Sequence, residues 1–398
     1  MKKAVSLLLA AVFFFVPSAA FAEDSADPLA FADPAKGAVL MDAATGRVLY
    51  EKDCHEPLPM ASTTKIMTAL ITLEQPDLDE YFVVDSDAIR VEGSSMGLQE
   101  GDQVSLRALA WGMLLASGND AAGAAAKRIA GSQEKFLEMM NQRAEEIGMK
   151  DTHFCSVSGL DVGDHHSTAY DMALLAREAL LNEEFAKIVS SKTGTVSFGN
   201  PPYQRRLTNH NKLLWNCEDC IGLKTGFTKK AGRCLVSAAS RDGLTVIVVT
   251  LGCPDDFNVH HEIVDKCFAK LSFVDCSKTV ANLSVPVAGG TLDRVPVKPL
   301  WQLGAYLTEE EKTHYQLGLT VKPFLYAPVE EGQVVGEAVL TLGDEVLGRS
   351  PLVSDQRVPS RFVDNRSILE QVEYFFAHPE DHWFPLNGPT REIPYENP

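Results

Sequence analysis

Three short groups of residues, Ser62-Thr-Thr-Lys65, Ser117-Gly-Asn119 and Lys224-Thr225-Gly226, hold the side chains with which this chain could do chemistry. Ser62 and Lys65 stand at i and i+3, so on a helix they share a face about one turn apart. A serine hydroxyl is a weak nucleophile and needs a base beside it. A lysine serves when burial and a neighbouring cation bring its pKa toward neutrality. At a helix start, Ser62 would also meet unpaired amides and the positive end of the dipole, which favour a developing oxyanion. Ser117 adds a second hydroxyl, and Asn119 an amide able to hold a carbonyl or the lysine. Lys224 and Thr225 can bind a carboxylate by charge and hydroxyl, and Gly226 on a strand edge permits close approach of a substrate backbone. Together these parts suffice for acyl transfer through a serine ester. Singly, each has a plainer reading: a capped helix with a surface lysine, a helix cap, and a turn.

A decoy is present. Lys192-Thr193-Gly194 repeats the third triplet 32 residues earlier. It follows a helical stretch and leads into Pro201-Pro202, whereas the later copy continues through Ala231-Gly232 into apolar strands. The later copy is assigned to the cleft.

The elements that must position these groups follow from pattern. Gly37–Asp42 and Arg47–Lys52 flank a Thr-Gly turn and read as a hairpin. Ile66, Met67, Leu70 and Leu73 recur at helical spacing after Ser62. Ser105 and Thr168 suit helix N-caps, and Gly148 a helix stop. Cys234–Ser240 and Leu244–Leu251, joined by Arg241-Asp-Gly243, form a second hairpin. Strands at both ends with helices between predict one antiparallel sheet carrying an inserted helical lobe, an α+β architecture. From Cys276 onward short strand-like runs predict a small all-β sandwich. Ile368, Leu369, Val372, Phe375 and Phe376 then share one helical face.

Length and composition set bounds. The chain has 398 residues and a formal charge of −18, which argues against nucleic-acid binding. Lys2 and Lys3, the apolar run Ala4–Val16 and Ala20-Phe-Ala22 read as a cleaved export signal over residues 1–22. The expected organisation is then a catalytic domain over 23–275, a β-rich domain over 276–360 and a tail over 361–398. The eight cysteines do not follow the spacing of a small disulfide scaffold. Cys217 and Cys220 lack two further ligands for zinc, so a loop disulfide or free thiols are expected. His165-His166 and His260-His261 are read as surface or capping residues. No metal or organic cofactor is expected.

Beyond the triplets, the chain carries Gly37-Ala-Val-Leu-Met-Asp with Tyr50-Glu-Lys, and Ala61-Ser-Thr-Thr-Lys-Ile-Met-Thr-Ala. It also carries Ser94-Ser-Met-Gly-Leu with Glu100-Gly-Asp, Leu115-Ala-Ser-Gly-Asn-Asp-Ala-Ala, and Gly148-Met-Lys-Asp-Thr-His-Phe with Ser158-Gly-Leu. As a set over roughly residues 37–360, these resemble the serine D-alanyl-D-alanine carboxypeptidases, the low-molecular-mass penicillin-binding proteins. The resemblance implies a β-lactamase/transpeptidase-like fold. It implies attack by Ser62 on the penultimate D-alanine of a peptidoglycan stem peptide, with Lys65 accepting the proton. Ser117 would relay a proton to the leaving D-alanine and Asn119 would position the peptide. Lys224 and Thr225 would hold the terminal carboxylate, and the amides of Ser62 and Phe227 would form an oxyanion hole beside Gly226. Family members often have histidine where this chain has Phe227, a mild departure because only a backbone amide is needed. β-Lactams would acylate the same serine.

Two alternatives are weighed. A class A-like β-lactamase shares the triplets and would need a glutamate for deacylation; Glu178 superficially fits but sits in a helical pattern. A non-catalytic cell-wall-binding protein would not need Ser62, Lys65 and Lys224 intact. The C-terminal helix, with Glu370 and Glu373, departs from a cationic membrane anchor; docking on the β module and peripheral membrane contact are both kept open.

Overall fold

The computed structural model describes residues 29, 33–361 and 368–377; the segment read as an export signal, Arg366 and the last residues of the tail lie outside the described residues. The chain divides into two units. The first runs to Ser272 and includes Tyr306–Lys312, and the second holds Phe273–Ala305 and the chain from Thr313.

The first unit is built on a five-stranded antiparallel sheet in the order Val48–Lys52, Gly37–Asp42, Leu244–Leu251, Gly232–Arg241, Cys220–Thr228. Strands from both ends of the segment therefore lie side by side, with the helices inserted between them. Cys220–Thr228, which carries Lys224, is an edge strand of this sheet, so its outer side is open to another partner.

Behind that edge lies helix α1 (Lys65–Leu73), all nine residues of which are buried. Its apolar residues fall on several sides, and Thr68 and Thr72 are buried with their hydroxyls donating to Val157 O and Thr68 O, as a helix inside a core requires. Ile66 and Met67 are fully buried, and such side chains each stabilise by about 1.5–3 kcal/mol relative to exposure. Around it pack α2 (Leu106–Leu115), α3 (Asn119–Ala130), α4 (Gln133–Ile147) and α5 (Ala169–Leu180). Ser105 Oγ accepts from the Ala108 amide at 3.3 Å and Thr168 Oγ1 from the Asp171 amide at 3.0 Å, so both expected caps are made. In α3 the buried residues Ala121, Ala122 and Ala124–Ala126 keep the side chains short enough for neighbouring helices to approach.

A second, four-stranded sheet joins Phe82–Val83, Gln103–Val104, Thr193–Gly199 and Pro202–Thr208. The sequence pattern does not announce it, because its first two strands are only two residues long.

The second unit is a six-stranded sheet in the order Tyr315–Val321, Val334–Leu342, Glu345–Ser354, Arg294–Pro299, Ser284–Ala288, Leu325–Tyr326. Its strands alternate as period-two burial requires: Val295 and Val297 point inward while Arg294, Pro296 and Lys298 do not. Val285, Leu340 and Leu352 complete the buried face. The C-terminal helix Ile368–Ala377 presents Leu369, Val372 and Phe376 as exposed side chains.

Candidate functional site

Ser62 sits in a tight turn, Ala61–Thr64, that runs straight into α1. The turn opens with Ala61 at a φ of +48°, a left-handed conformation uncommon for alanine. The two threonines of the motif hold it. Thr63 Oγ1 donates to Met60 O at 2.6 Å and Thr64 Oγ1 to Ala61 O at 2.8 Å. Both threonines are buried, so their work is to lock the turn.

Lys65, one helical step on, is fully buried. Its Nζ lies 3.0 Å from Ser62 Oγ and donates to Ser158 O at 2.6 Å. Burial holds its pKa well below the ordinary lysine value, and the charge of Lys224 lowers it further, against a smaller opposing effect of Asp120. A neutral amine within hydrogen-bond reach of a serine hydroxyl can take its proton.

Ser117 leaves the end of α2 at a φ of +57°, a strained conformation that turns its hydroxyl toward Lys224. Lys224 Nζ donates to Ser117 Oγ at 3.1 Å and to Thr225 O at 2.7 Å. Burial brings the Lys224 pKa down to about 7. Asn119 opens α3; its Nδ2 donates to Glu92 O at 2.7 Å, while its Oδ1 is buried and has no partner among the described residues.

Gly226 explains the close approach of the edge strand. A Cβ there would stand 3.0 Å from the Ser62 amide nitrogen and 3.1 Å from Met60 O. The glycine thus lets the strand pass against the nucleophile's own turn. Ser62, Ser117, Thr225, Gly226 and Phe227 line one cleft of about 320 Å³, together with Arg233, Asp256 and Phe257. A wider hollow of about 760 Å³ beside Arg107 and Asp79 contains none of these groups, and Arg107 there is already paired with Asp79 at 2.7 Å.

Of the residues singled out from sequence, Ser62, Ser117, Thr225, Gly226 and Phe227 therefore meet at one cleft, Lys65 and Lys224 are bonded to its two serines, and Asn119 is not among the lining residues. Others were missed. Asp120 accepts from Ser95 Oγ at 2.6 Å and from the amides of Met96, Gly97 and Leu98, and so fixes the loop that follows Ser94, a residue of the cleft wall. In sequence it is indistinguishable from an acid favoured by a helix N-terminus. Ser158 acts through its carbonyl, which no side-chain pattern reveals. Arg233 is paired with Asp256 at 2.7 Å, a contact made across 23 residues.

The readings of Lys192, Glu178 and the cysteines hold, and the surface placement of His165 and His260 changes. Lys192-Thr193-Gly194 opens the hairpin of the small sheet, and a Cβ on Gly194 would lie 2.1 Å from the Trp111 ring. That glycine serves packing. Glu178 binds Arg143 at 2.6 Å between α5 and α4 and lines no part of the cleft, so the deacylating glutamate of the β-lactamase alternative is not supplied there. His165 and His260 are buried instead of superficial. His260 bridges Ser237 Oγ at 2.7 Å and Thr250 Oγ1 at 2.9 Å, and burial lowers its pKa to about 3. All eight cysteines are free thiols.

A family model described as D-alanyl-D-alanine carboxypeptidase matches residues 24–255, and one described as the C-terminal domain of penicillin-binding protein 5 matches residues 268–360. The chain is 32% identical over 375 residues to D-alanyl-D-alanine carboxypeptidase DacF of Bacillus subtilis, covering 89% of this chain and 94% of that one. It is 33% identical over 378 residues to DacC of Escherichia coli, covering 87% and 89%. Among solved structures, penicillin binding protein 6B from Escherichia coli matches with a TM-score of 0.64 at 31% identity, covering 83% of this chain and 98% of that one.

Proposed function

Because the chain belongs to the D-alanyl-D-alanine carboxypeptidase family, we propose that its cleft removes the terminal D-alanine of peptidoglycan stem pentapeptides through an ester formed on Ser62. The observation that carries this reading is the buried Lys65 amine 3.0 Å from Ser62 Oγ. Lys65 in its neutral form takes the hydroxyl proton as Ser62 attacks the penultimate carbonyl. The amides of Ser62 and Phe227 receive the oxyanion. Ser117, its hydroxyl held by Lys224, relays the proton from Lys65 to the departing amine, so Lys65 returns to neutral and Lys224 keeps its charge. Asn119 Oδ1, buried without a partner among the described residues, accepts an N–H of the stem peptide. Lys224 and Thr225 hold the terminal carboxylate. The peptide lies along the open edge of Cys220–Thr228 as an added strand. Water then releases the shortened stem.

The substrate is extracytoplasmic, so the chain is exported, and β-lactams enter the cleft as acylating inhibitors of Ser62. Among the described residues no helix is long and apolar enough to cross a membrane; the exposed Leu369, Val372 and Phe376 are the surface for peripheral membrane contact. Incubation with a D-Ala-D-Ala pentapeptide, followed by mass spectrometry, tests the activity. Wild type releases D-alanine and Ser62→Ala does not; release by the alanine variant at the wild-type rate would overturn the assignment.

A further inference from the structure

His165 lies within neither the cleft nor the three motifs, yet it touches both halves of the nucleophile's support. It is buried, and its Nδ1 lies 3.1 Å from the backbone N–H of Cys155, which can only donate. Nδ1 is therefore an acceptor, and the ring proton sits on Nε2. Nε2 lies 2.8 Å from Thr64 Oγ1, which itself donates to Ala61 O at 2.8 Å. One unbroken chain of hydrogen bonds thus runs from the loop at 155 to the turn that carries Ser62.

That loop is the floor under Lys65. Ser158 O accepts from Lys65 Nζ, and Val157 O accepts from Thr68 Oγ1 at 2.6 Å. Ser156 Oγ winds the loop by accepting from the amides of Gly159 at 3.0 Å and Leu160 at 3.1 Å. Gly159 presses on the turn so closely that a Cβ would stand 1.9 Å from Ala61 O. Turn and loop meet at Lys65 Nζ, which bonds to both Ser62 Oγ and Ser158 O, and the imidazole spans them.

We propose that His165 is a positioning residue that holds the Ser62 turn and the Ser158 loop at the spacing that keeps Lys65 dry and within reach of the nucleophile. The inference rests on the proposed function of that cleft. The ring must stay neutral, because a second proton on Nδ1 would oppose the Cys155 N–H. Burial first, then the charges of His166, His153 and Lys230, bring its pKa down to about 4; the Phe154 ring, 6.0 Å away, completes its surroundings.

Acylation by a fluorescent penicillin is measured from pH 4 to 10 on the full chain and on His165→Ala, His165→Gln and Thr64→Val. Loosening the loop admits water to Lys65 and lets its pKa climb back, so His165→Ala shifts the acid limb upward by about one pH unit. The rate falls by roughly 10–100-fold, as slight misplacement of reacting groups does. His165→Gln, with one donor and one acceptor, recovers most of both. A uniform loss without a shifted limb, or no loss, overturns the proposal. Should the alanine variant not fold, Thr64→Val carries the same expectation. Nitrogen NMR of the wild-type ring supplies an independent arm: Nδ1 stays unprotonated from pH 5 to 9, and a ring titrating near the ordinary histidine value would overturn the proposal. A wild-type chain that penicillin does not label at all would instead sink the function itself.

Discussion

Lys224-Thr225-Gly226 and Lys192-Thr193-Gly194 are the same three residues in two different surroundings. In the first, the lysine is 1% exposed and bonded to Ser117, and the glycine lies against the Ser62 turn. In the second, Thr193 pairs with Thr208 at the mouth of a hairpin and the glycine lies under Trp111. Both glycines are required by close packing, but one approach brings a strand edge to a nucleophile and the other seats an aromatic ring. A triplet becomes a binding element only where the fold delivers its lysine to a desolvated cleft opposite a hydroxyl. The residue types alone do not decide it.

The largest effects should fall on Lys224. Lys224→Ala should lower acylation by carboxylate-bearing penicillins by about 100–1,000-fold, because a buried charge-assisted contact is lost from the reacting complex. Next comes Gly226→Ala. Its methyl must displace the Ser62 amide or Met60 O, and acylation should fall about tenfold or more, since small shifts of a reacting group are costly. The pH dependence sharpens the contrast further. Lys65 must be neutral to accept a proton, so acylation rises with pH through its lowered pKa. Lys224 must be charged to hold a carboxylate, so kcat/KM declines above about 7 in the free enzyme. Bound carboxylate moves that alkaline limb upward in kcat, and Lys224→Arg should abolish it, because a guanidinium keeps its proton. An unchanged alkaline limb in that variant would remove Lys224 from carboxylate binding.

At the earlier triplet the effects should be structural and smaller. Gly194→Ala forces the Trp111 ring aside and should cost about 1–3 kcal/mol of stability by overpacking, read as a lower thermal midpoint, with acylation of the folded protein unchanged. Lys192→Ala should alter acylation less than about twofold, as surface substitutions generally do. A large loss there would exchange the roles of the two copies.

Much of this was legible in the sequence because local pattern and chemistry agree. The hairpin Gly37–Lys52, the caps Ser105 and Thr168, and the helix after Ser62 each follow from side chains acting within a few residues. Ser62, Lys65, Ser117 and Lys224 were legible because few other arrangements make a serine reactive. What escaped the sequence depends on contacts between distant segments. Asp120 looks like any acid at a helix start until the loop at 95–98 folds onto it. His165 looks like half of a surface pair until the loop at 155 closes over it. Half of the small sheet escaped because its strands Phe82–Val83 and Gln103–Val104 are too short to carry a period. The packing of Gly194 escaped because Trp111 lies far away in the chain.

Central to the account is one ester on one serine. Wild type and Ser62→Ala should be incubated with penicillin at neutral pH, weighed intact and digested for peptide mapping. One equivalent of adduct on the peptide containing Ser62, with none on the alanine variant, is the result expected; an adduct of equal yield on the variant, or one mapped to any other residue, would contradict it.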